Sequence, residues 1–305
     1  MIRTEDLCYA YNQKNGIHHL NLHVPNGSCF GLLGQNGAGK STTMKLILGL
    51  MRADKGSVWI AGKEMQAGTL SIYQKIGMLL EEPPLYPYLN AVENLEISCT
   101  YRAIDKNRIQ EVLTMTGLED AAEQKTAHYS TGMKQRLGIA LALLPDPDLL
   151  VLDEPVNGLD PEGIVTIRRL MQQLHRQGKT ILMSSHLLHE IELSCDHVGI
   201  LQNGRLLYAG SLDILKQKQL AVRGLWVHCP QTEQAASLLR QAGYSVHIHQ
   251  QRLLVSVGEV AESNQLIDIL REAKLDIHQL IRQELSLEDL YLHYTQQKEP
   301  NRAYS

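Results

Sequence analysis

The sequence predicts an α/β protein followed by a small α+β domain of ferredoxin-like order. Three observations predict it. A glycine-rich octapeptide, Gly34-Gln35-Asn36-Gly37-Ala38-Gly39-Lys40-Ser41, stands between an apolar run and a helical pattern. Short apolar runs then alternate with longer helical patterns to about residue 210. Beyond residue 224 the order of patterns becomes β-α-β-β-α-β.

Taken in order, Ser28-Cys29-Phe30-Gly31-Leu32-Leu33 is a buried-strand run. Thr42-Thr43-Met44-Lys45-Leu46-Ile47-Leu48 is the helix that follows, and the positive end of that helix faces the octapeptide. Strand, loop and helix fit G-x-x-x-x-G-K-[ST], a loop that cradles nucleotide phosphates. Its glycines let consecutive N–H groups turn toward one anion without a Cβ clash. Lys40 can reach the β- and γ-phosphates, and the Ser41 hydroxyl can ligate Mg²⁺. The candidate nucleotide-binding residues are therefore Gly34, Asn36, Gly37, Ala38, Gly39, Lys40, Ser41 and Thr42.

Ile76-Gly77-Met78-Leu79-Leu80 runs into Glu81, with Glu82 beside it and Pro83-Pro84 after. Ser130 sits where a helix N-cap belongs, ahead of a stripe formed by Met133, Leu137, Ala140, Leu141 and Leu144. The strand Leu149-Leu150-Val151-Leu152 ends in Asp153-Glu154. A carboxylate at such a strand tip can hold Mg²⁺, and a second can orient or deprotonate an attacking water. Thr180 to Ser185 is a further buried strand, and His186 follows it.

The C-terminal elements are a strand at Leu225-Trp226-Val227-His228, then a helix carrying Ala235, Leu238, Leu239 and Ala242, stopped by Gly243. Val246 and Ile248 alternate with His247 and His249, and Leu253-Leu254-Val255 makes a third strand. Leu266, Ile269, Leu270 and Ala273 mark a second helix, and Ile277 to Ile281 a last strand. His228, His247 and His249 could share a metal, but no carboxylate or cysteine stands at good ligand spacing.

At 305 residues the chain has room for about two domains. A net charge of -4 lends no electrostatic support to nucleic-acid binding. The five cysteines are scattered, without a C-x-x-C pair, which suits reduced thiols in a cytosolic compartment. Arg3, Glu5 and Asp6 come early, unlike a secretory leader. No apolar stretch approaches the roughly 20 residues of a membrane helix, so a membrane role would come through a partner.

Together with the phosphate loop and Asp153-Glu154, the segment Tyr129-Ser130-Thr131-Gly132-Met133-Lys134-Gln135-Arg136 resembles the ATP-binding subunit of ABC transporters. That family carries the signature L-S-G-G-Q ahead of a helix. Thr131 and Met133 depart from its Gly and Gln, and a β-branched Thr lacks the positive-φ freedom of Gly. The resemblance implies a P-loop NTPase cassette, a RecA-like core with a helical signature subdomain at about residues 85–145. It implies an ATPase domain over residues 1–212. The residue pattern itself predicts a polar connector at 213–224, a C-terminal domain at 225–297 and a polar, disordered tail at 298–305.

What the resemblance implies for the site is an Mg²⁺-dependent ATPase that dimerises head to tail across two ATP molecules, with itself or with a related cassette. Glu154, His186 and Lys40 would be catalytic, with His186 as the γ-phosphate switch. Ser41, Asp153 and Glu81 would hold the metal, Glu81 standing where the family has a Gln and Glu82 competing for that place. Tyr11 would stack on adenine, with Tyr9 as its rival. Ser130 and Gly132 would reach the ATP of the opposite subunit, and Asn157-Gly158-Leu159-Asp160 would run along the dimer interface. Glutamate at 81, and Leu285-Ser286-Leu287-Glu288-Asp289-Leu290-Tyr291-Leu292 near the end, resemble the bacitracin-export, lantibiotic-immunity and drug-export branch.

The implied function is to power a separately encoded polytopic permease at the cytoplasmic face of the membrane, exporting an antibiotic, peptide or other hydrophobic compound. The region from about Leu85 to His128, with Tyr86, Pro87 and Tyr88, is where the family meets its permease. The alternative is a regulatory ATPase that drives a membrane partner without transporting a substrate. DNA-repair and translation-associated relatives would need a long coiled coil, zinc modules, a second cassette or a basic surface.

Overall fold

The computed structural model describes residues 1–11, 15–65, 70–218, 223–249, 252–257, 260–282 and 286–296. The chain separates into two compact units. One comprises residues 1–212 with the end of the last helix from His293, the other residues 213–292.

In chain order the first unit begins with β1 (Ile2–Ala10), β2 (Gly16–Leu20), β3 (His23–Val24), β4 (Cys29–Leu33), α1 (Lys40–Ile47), β5 (Lys55–Ile60) and β6 (Lys63–Glu64). It continues with β7 (Ile76–Leu79), α2 (Ala91–Arg102), α3 (Arg108–Thr116), α4 (Thr131–Leu143) and β8 (Leu149–Leu152). Last come α5 (Pro161–Arg176), β9 (Thr180–Ser185), α6 (Leu188–Ser194), β10 (His197–Gln202) and β11 (Arg205–Ser211).

The central sheet has the order β11-β10-β4-β9-β8-β7. Its neighbours are parallel from β10 to β7, and β11 closes the other edge antiparallel. Every residue of β4, β8 and β9 is buried, as a parallel sheet covered on both faces requires. That double burial is why these strands read as unbroken apolar runs. Leu33 lies opposite Ser185, Leu152 opposite Met183, and Leu79 opposite Leu152. In-register parallel pairing therefore brings the loops after β4, β7, β8 and β9 to one edge of the sheet, where open α/β sheets bind ligands.

A second, antiparallel sheet, β2-β1-β5-β6 with β3 on β1, was not legible from the apolar runs. Ile2, Thr4 and Leu7 of β1 are buried while Arg3, Glu5 and Asp6 face water. Such a one-sided strand reads as a mixed polar segment. Ile2 and Leu7 join Phe30, Leu32, Met44, Ile47 and Leu182 in one core.

Helix α4 departs from the expected single stripe. Leu137, Gly138, Ile139, Ala140, Ala142 and Leu143 are all buried, whereas Leu141 is only half-buried. The helix packs against β7 and also against α2 and α3, so within its second half only Leu141 keeps partial exposure. The approach to β7 is close enough to demand a glycine: a Cβ on Gly77 would sit 2.1 Å from the Ala142 carbonyl oxygen.

The second unit holds α7 (Leu212–Lys218) from Asp213 on, β12 (Arg223–His228), α8 (Thr232–Gln241), β13 (Val246–His249), β14 (Arg252–Val257), α9 (Val260–Glu272), β15 (Gln279–Arg282) and α10 (Leu287–Gln296) as far as Leu292. The antiparallel order β13-β14-β12-β15 is the ferredoxin-like arrangement. Leu225, Val227, Ala235, Leu239, Leu253, Val255, Leu266 and Leu270 form its core. Two expectations shift. Ala242 is exposed, because α8 ends at Gln241 and Gly243 turns the chain at φ +91°, and Ala236 is buried instead. The last strand begins at Gln279 rather than Ile277. Leu285 and the tail at 298–305 lie outside the described residues.

Gly77→Ala is expected to lower unfolding free energy by about 3 kcal/mol through overpacking between backbones. Urea denaturation checks this; an unchanged midpoint contradicts the close approach.

Candidate functional site

The octapeptide loop links β4 to α1. Gly39 precedes the helix at φ +105°, with no side-chain cap and no acidic residue in the first turn. The first N–H groups of a helix have no partner within it, so those of α1 are open to an anion. Gly37 has φ +83° and open space where a Cβ would stand. Lys40 is buried within the loop, its Nζ donating to the Gly34 carbonyl at 2.8 Å. An uncapped helix start around a buried ammonium fits a phosphate chain. Behind the loop, the Gly204 N–H donates to the Ala38 carbonyl at 3.0 Å, so the β10–β11 turn backs it.

Glu154 is the meeting point of the site. Its Oε1 is 3.3 Å from Lys40 Nζ, and its Oε2 is 2.7 Å from His186 Nδ1. Its backbone has φ +48°, a conformation that costs a non-glycine residue free energy and clusters at functional sites. The Ser184 hydroxyl locks the turn. Its Oγ donates to Asp153 Oδ1 and accepts from the Glu154 N–H at 2.9 Å. Gln135 Nε2 adds a bond to the Glu154 carbonyl at 3.3 Å. Arg168 holds Glu190 through two hydrogen bonds, of 2.9 and 2.6 Å, a bidentate pair that ties α6 to α5 directly after His186.

Ser184, Gln135 and Lys45 are site residues that motif reading passed over. Ser184 and Lys45 lie inside a predicted strand and helix, where position alone gives no chemical signal. Lys45 Nζ donates to Glu81, and this hydrogen bond holds the Lys45 ammonium above its ordinary pKa. Glu81 stands just past β7 at φ +66°.

Of the rival tyrosines, Tyr11 is exposed and its Oη lies 3.4 Å from Thr42 Oγ1. Tyr9 is half-buried against the core and meets Tyr11 edge-on. Ser130 caps α4 by accepting from the Met133 N–H at 3.2 Å. Thr131 is the first helical residue of α4 and has no positive φ, so its β-branch fits without the freedom of Gly. A Cβ on Gly132 would come within 3.2 Å of Leu159, so the loop 157–160 lies against the start of α4. Asp160 caps α5 through Oδ1, 2.9 Å from the Gly163 N–H.

Glu81, Glu82, Asp153 and Glu154 line one cleft of 430 Å³ with Thr131, Gln135, Asn157 and Gly158. Ser41, Asp153 and Glu81 offer hard oxygens of the kind Mg²⁺ takes, one or two carboxylates supplemented by phosphate and water. The fit is therefore one of donor chemistry, with Glu81 turned to Lys45 here.

Among the described residues, the group of three potential ligands whose atoms come together is Asp6, Cys8 and His19. There His19 Nδ1 and Asp6 Oδ1 are 2.6 Å apart, a hydrogen bond closer than two ligands on one ion stand. His228 instead meets the His278 ring, and His249 that of Trp226. All five cysteines are free thiols.

A family model described as ABC transporter matches residues 17–157. The bacitracin transport ATP-binding protein of Bacillus licheniformis is 37% identical over 297 residues, which are 96% of either chain. This chain belongs to the ABC transporter family. Its place is among the family's ATP-binding subunits. The lantibiotic transport ATP-binding protein of Streptococcus pyogenes is 38% identical over 213 residues, 70% of this chain and 92% of that one. The solved dimeric structure of a post-hydrolysis state of an ATP-binding cassette, bound to ADP and Pi, has a TM-score of 0.64 at 26% identity. It covers 70% of this chain and 99% of that cassette. As an ABC ATPase subunit the chain has no helix, among the described residues, long and apolar enough to cross a membrane.

Ser184→Ala leaves a buried Asp153 carboxylate without its hydroxyl donor and frees the Glu154 turn. A loss of about 1–3 kcal/mol in unfolding free energy is expected by chemical denaturation. Wild-type stability would remove Ser184 from the site.

Proposed function

We propose that the chain is the ATP-hydrolysing subunit of an exporter, driving a separately encoded polytopic permease from the cytoplasmic face of the membrane. The cargo is an antibiotic, peptide or other hydrophobic compound, a reading supported by the bacitracin and lantibiotic relatives and by glutamate at position 81. The observation that carries the catalytic part is the division of one carboxylate between two partners: Glu154 faces Lys40 with one oxygen and His186 with the other. A γ-phosphate and its attacking water have to fit among these three groups.

Lys40 and the loop N–H groups from Gly34 to Thr42 hold the β- and γ-phosphates, and Tyr11 stacks on the adenine. Glu154 orients the water and takes its proton as the water oxygen bonds to Pγ. The bond from Pγ to the β–γ bridging oxygen then breaks, its electron pair leaving with ADP. His186 hydrogen-bonds the γ-phosphate and holds Glu154 in place. Mg²⁺, when bound by Ser41, Asp153 and Glu81, supplies positive charge at the phosphate oxygens. Ser130 and Gly132 of a second cassette complete the pocket from the α4 N-terminus, another helix start aimed at an anion. Asp160 and its loop run along that interface. ATP thus bridges two copies, and hydrolysis removes the bridge. In this reading residues 1–212 are the motor, and residues 225–297 are a separate C-terminal domain.

Glu154→Gln is expected to bind ATP, accumulate as an ATP-bound dimer and lose about 100-fold or more in kcat. Size-exclusion chromatography with a steady-state phosphate assay checks both. A rate near wild type contradicts the general-base role.

Tyr86 and Tyr88 are exposed before α2, where apolar rings on a motor surface suit a protein partner. Alanine at both is expected to abolish stimulation of ATP turnover by the co-reconstituted permease. Stimulation equal to wild type would place the permease contact elsewhere.

A further inference from the structure

The cleft beside the phosphate loop gathers four carboxylates, Glu81, Glu82, Asp153 and Glu154, yet it has to receive a polyanion. Charge compensation decides whether it can. Glu154 is compensated by Lys40 and hydrogen-bonded to His186, and Asp153 accepts from Ser184. Glu81 is compensated by Lys45, which stands on α1 one turn beyond the phosphate loop.

Lys45 is well placed for more than a surface pair. Its side chain is 28% exposed against 67% for Glu81, so the ammonium is the sheltered member and the carboxylate comes to it. The charges of Tyr11 and Asp153 also act on it, so it stands near both the adenine-side and the metal-side candidates. The backbone of Glu81 is itself held in the left-handed region, limiting the directions its side chain can take.

We propose that Lys45 is the resident counter-ion of Glu81, and that Mg²⁺ must displace it before Glu81 can serve as a metal ligand. This rests on the reading of Glu81 as a ligand. A Gln at 81 could accept a hydrogen bond from Lys45 but would carry no charge for it to neutralise. The exchange between ammonium and divalent cation is thus a property of a glutamate at this position. It makes Lys45 a positioning residue: it tunes metal affinity through Glu81 and touches neither nucleotide nor metal. The cost of freeing Glu81 from Lys45 is subtracted from the metal affinity, so removal of the ammonium tightens metal binding.

The test measures binding and not turnover. Retention of a non-hydrolysable ATP analogue by the full chain is followed by equilibrium dialysis against increasing free Mn²⁺. The readout is the Mn²⁺ concentration at half-retention. Lys45→Met is expected to lower that midpoint about three- to tenfold, and Lys45→Arg to leave it at the wild-type value. Glu81→Gln is expected to raise it, and the double variant Lys45→Met/Glu81→Gln to match Glu81→Gln alone. A Lys45→Met midpoint equal to or above wild type overturns the counter-ion role while leaving Glu81 as a ligand. So does a double variant that binds more tightly than Glu81→Gln. A Glu81→Gln midpoint equal to wild type overturns the ligand reading itself. Thermal unfolding of each variant separates these outcomes from loss of fold.

Discussion

Parallel, in-register pairing of β4, β9, β8 and β7 is the constraint on which the rest of the molecule depends. Each strand ends within a residue or two of its neighbour's end. The phosphate loop, Glu81, Asp153-Glu154 and His186 therefore leave the sheet along one edge, although they are spread from residue 34 to residue 186. A parallel sheet must be covered on both faces to satisfy its apolar side chains. The helices that cover it are the ones that start or end at the site: α1 opens on the loop, and α6 follows His186. Close approaches such as that of Gly77 to Ala142 set the depth at which α4 lies on β7. They thereby set where Ser130 presents the start of that helix.

Upon that frame the site is organised by charge. Four carboxylates share one cleft, and three of them have partners close at hand: Lys40 and His186 for Glu154, Ser184 for Asp153, and Lys45 for Glu81. Lys40 is held by the Gly34 carbonyl and Glu154, His186 by Glu154, and Lys45 by Glu81. Glu81 and Glu154 share a further property, a left-handed backbone that non-glycine residues adopt only when their surroundings impose it. The turns after β7 and β8 are thus shaped to aim these two carboxylates.

Much of this was legible in the residues, and what was not has physical reasons. The buried strands, the phosphate loop and the Ser130 cap declare themselves because each is a local pattern with one cause: double-sided burial, glycine freedom, or an orphan helix N–H. The antiparallel sheet did not, since β1 alternates apolar with charged residues and resembles a loop. The stripe on α4 was too narrow because three elements pack on that helix, and burial on several sides widens the apolar surface beyond one stripe. Ala242 was placed on the apolar face of α8 by spacing, whereas α8 ends at Gln241 and leaves Ala242 exposed at its cap. The contact of Tyr11 with Thr42 and the pairing of Lys45 with Glu81 are tertiary facts. They bring together segments more than thirty residues apart, and no local pattern encodes them.

The central claim is that the γ-phosphate lies among these strand ends and that Ser130 of a second copy closes over it. Trapping ADP with orthovanadate, irradiating the complex and mapping the backbone cuts tests it most directly, because photocleavage reports which residues touch the γ-phosphate position. Cuts within residues 34–41 together with a cut at Ser130 are expected. Cuts confined to the phosphate loop would contradict a site shared between two subunits.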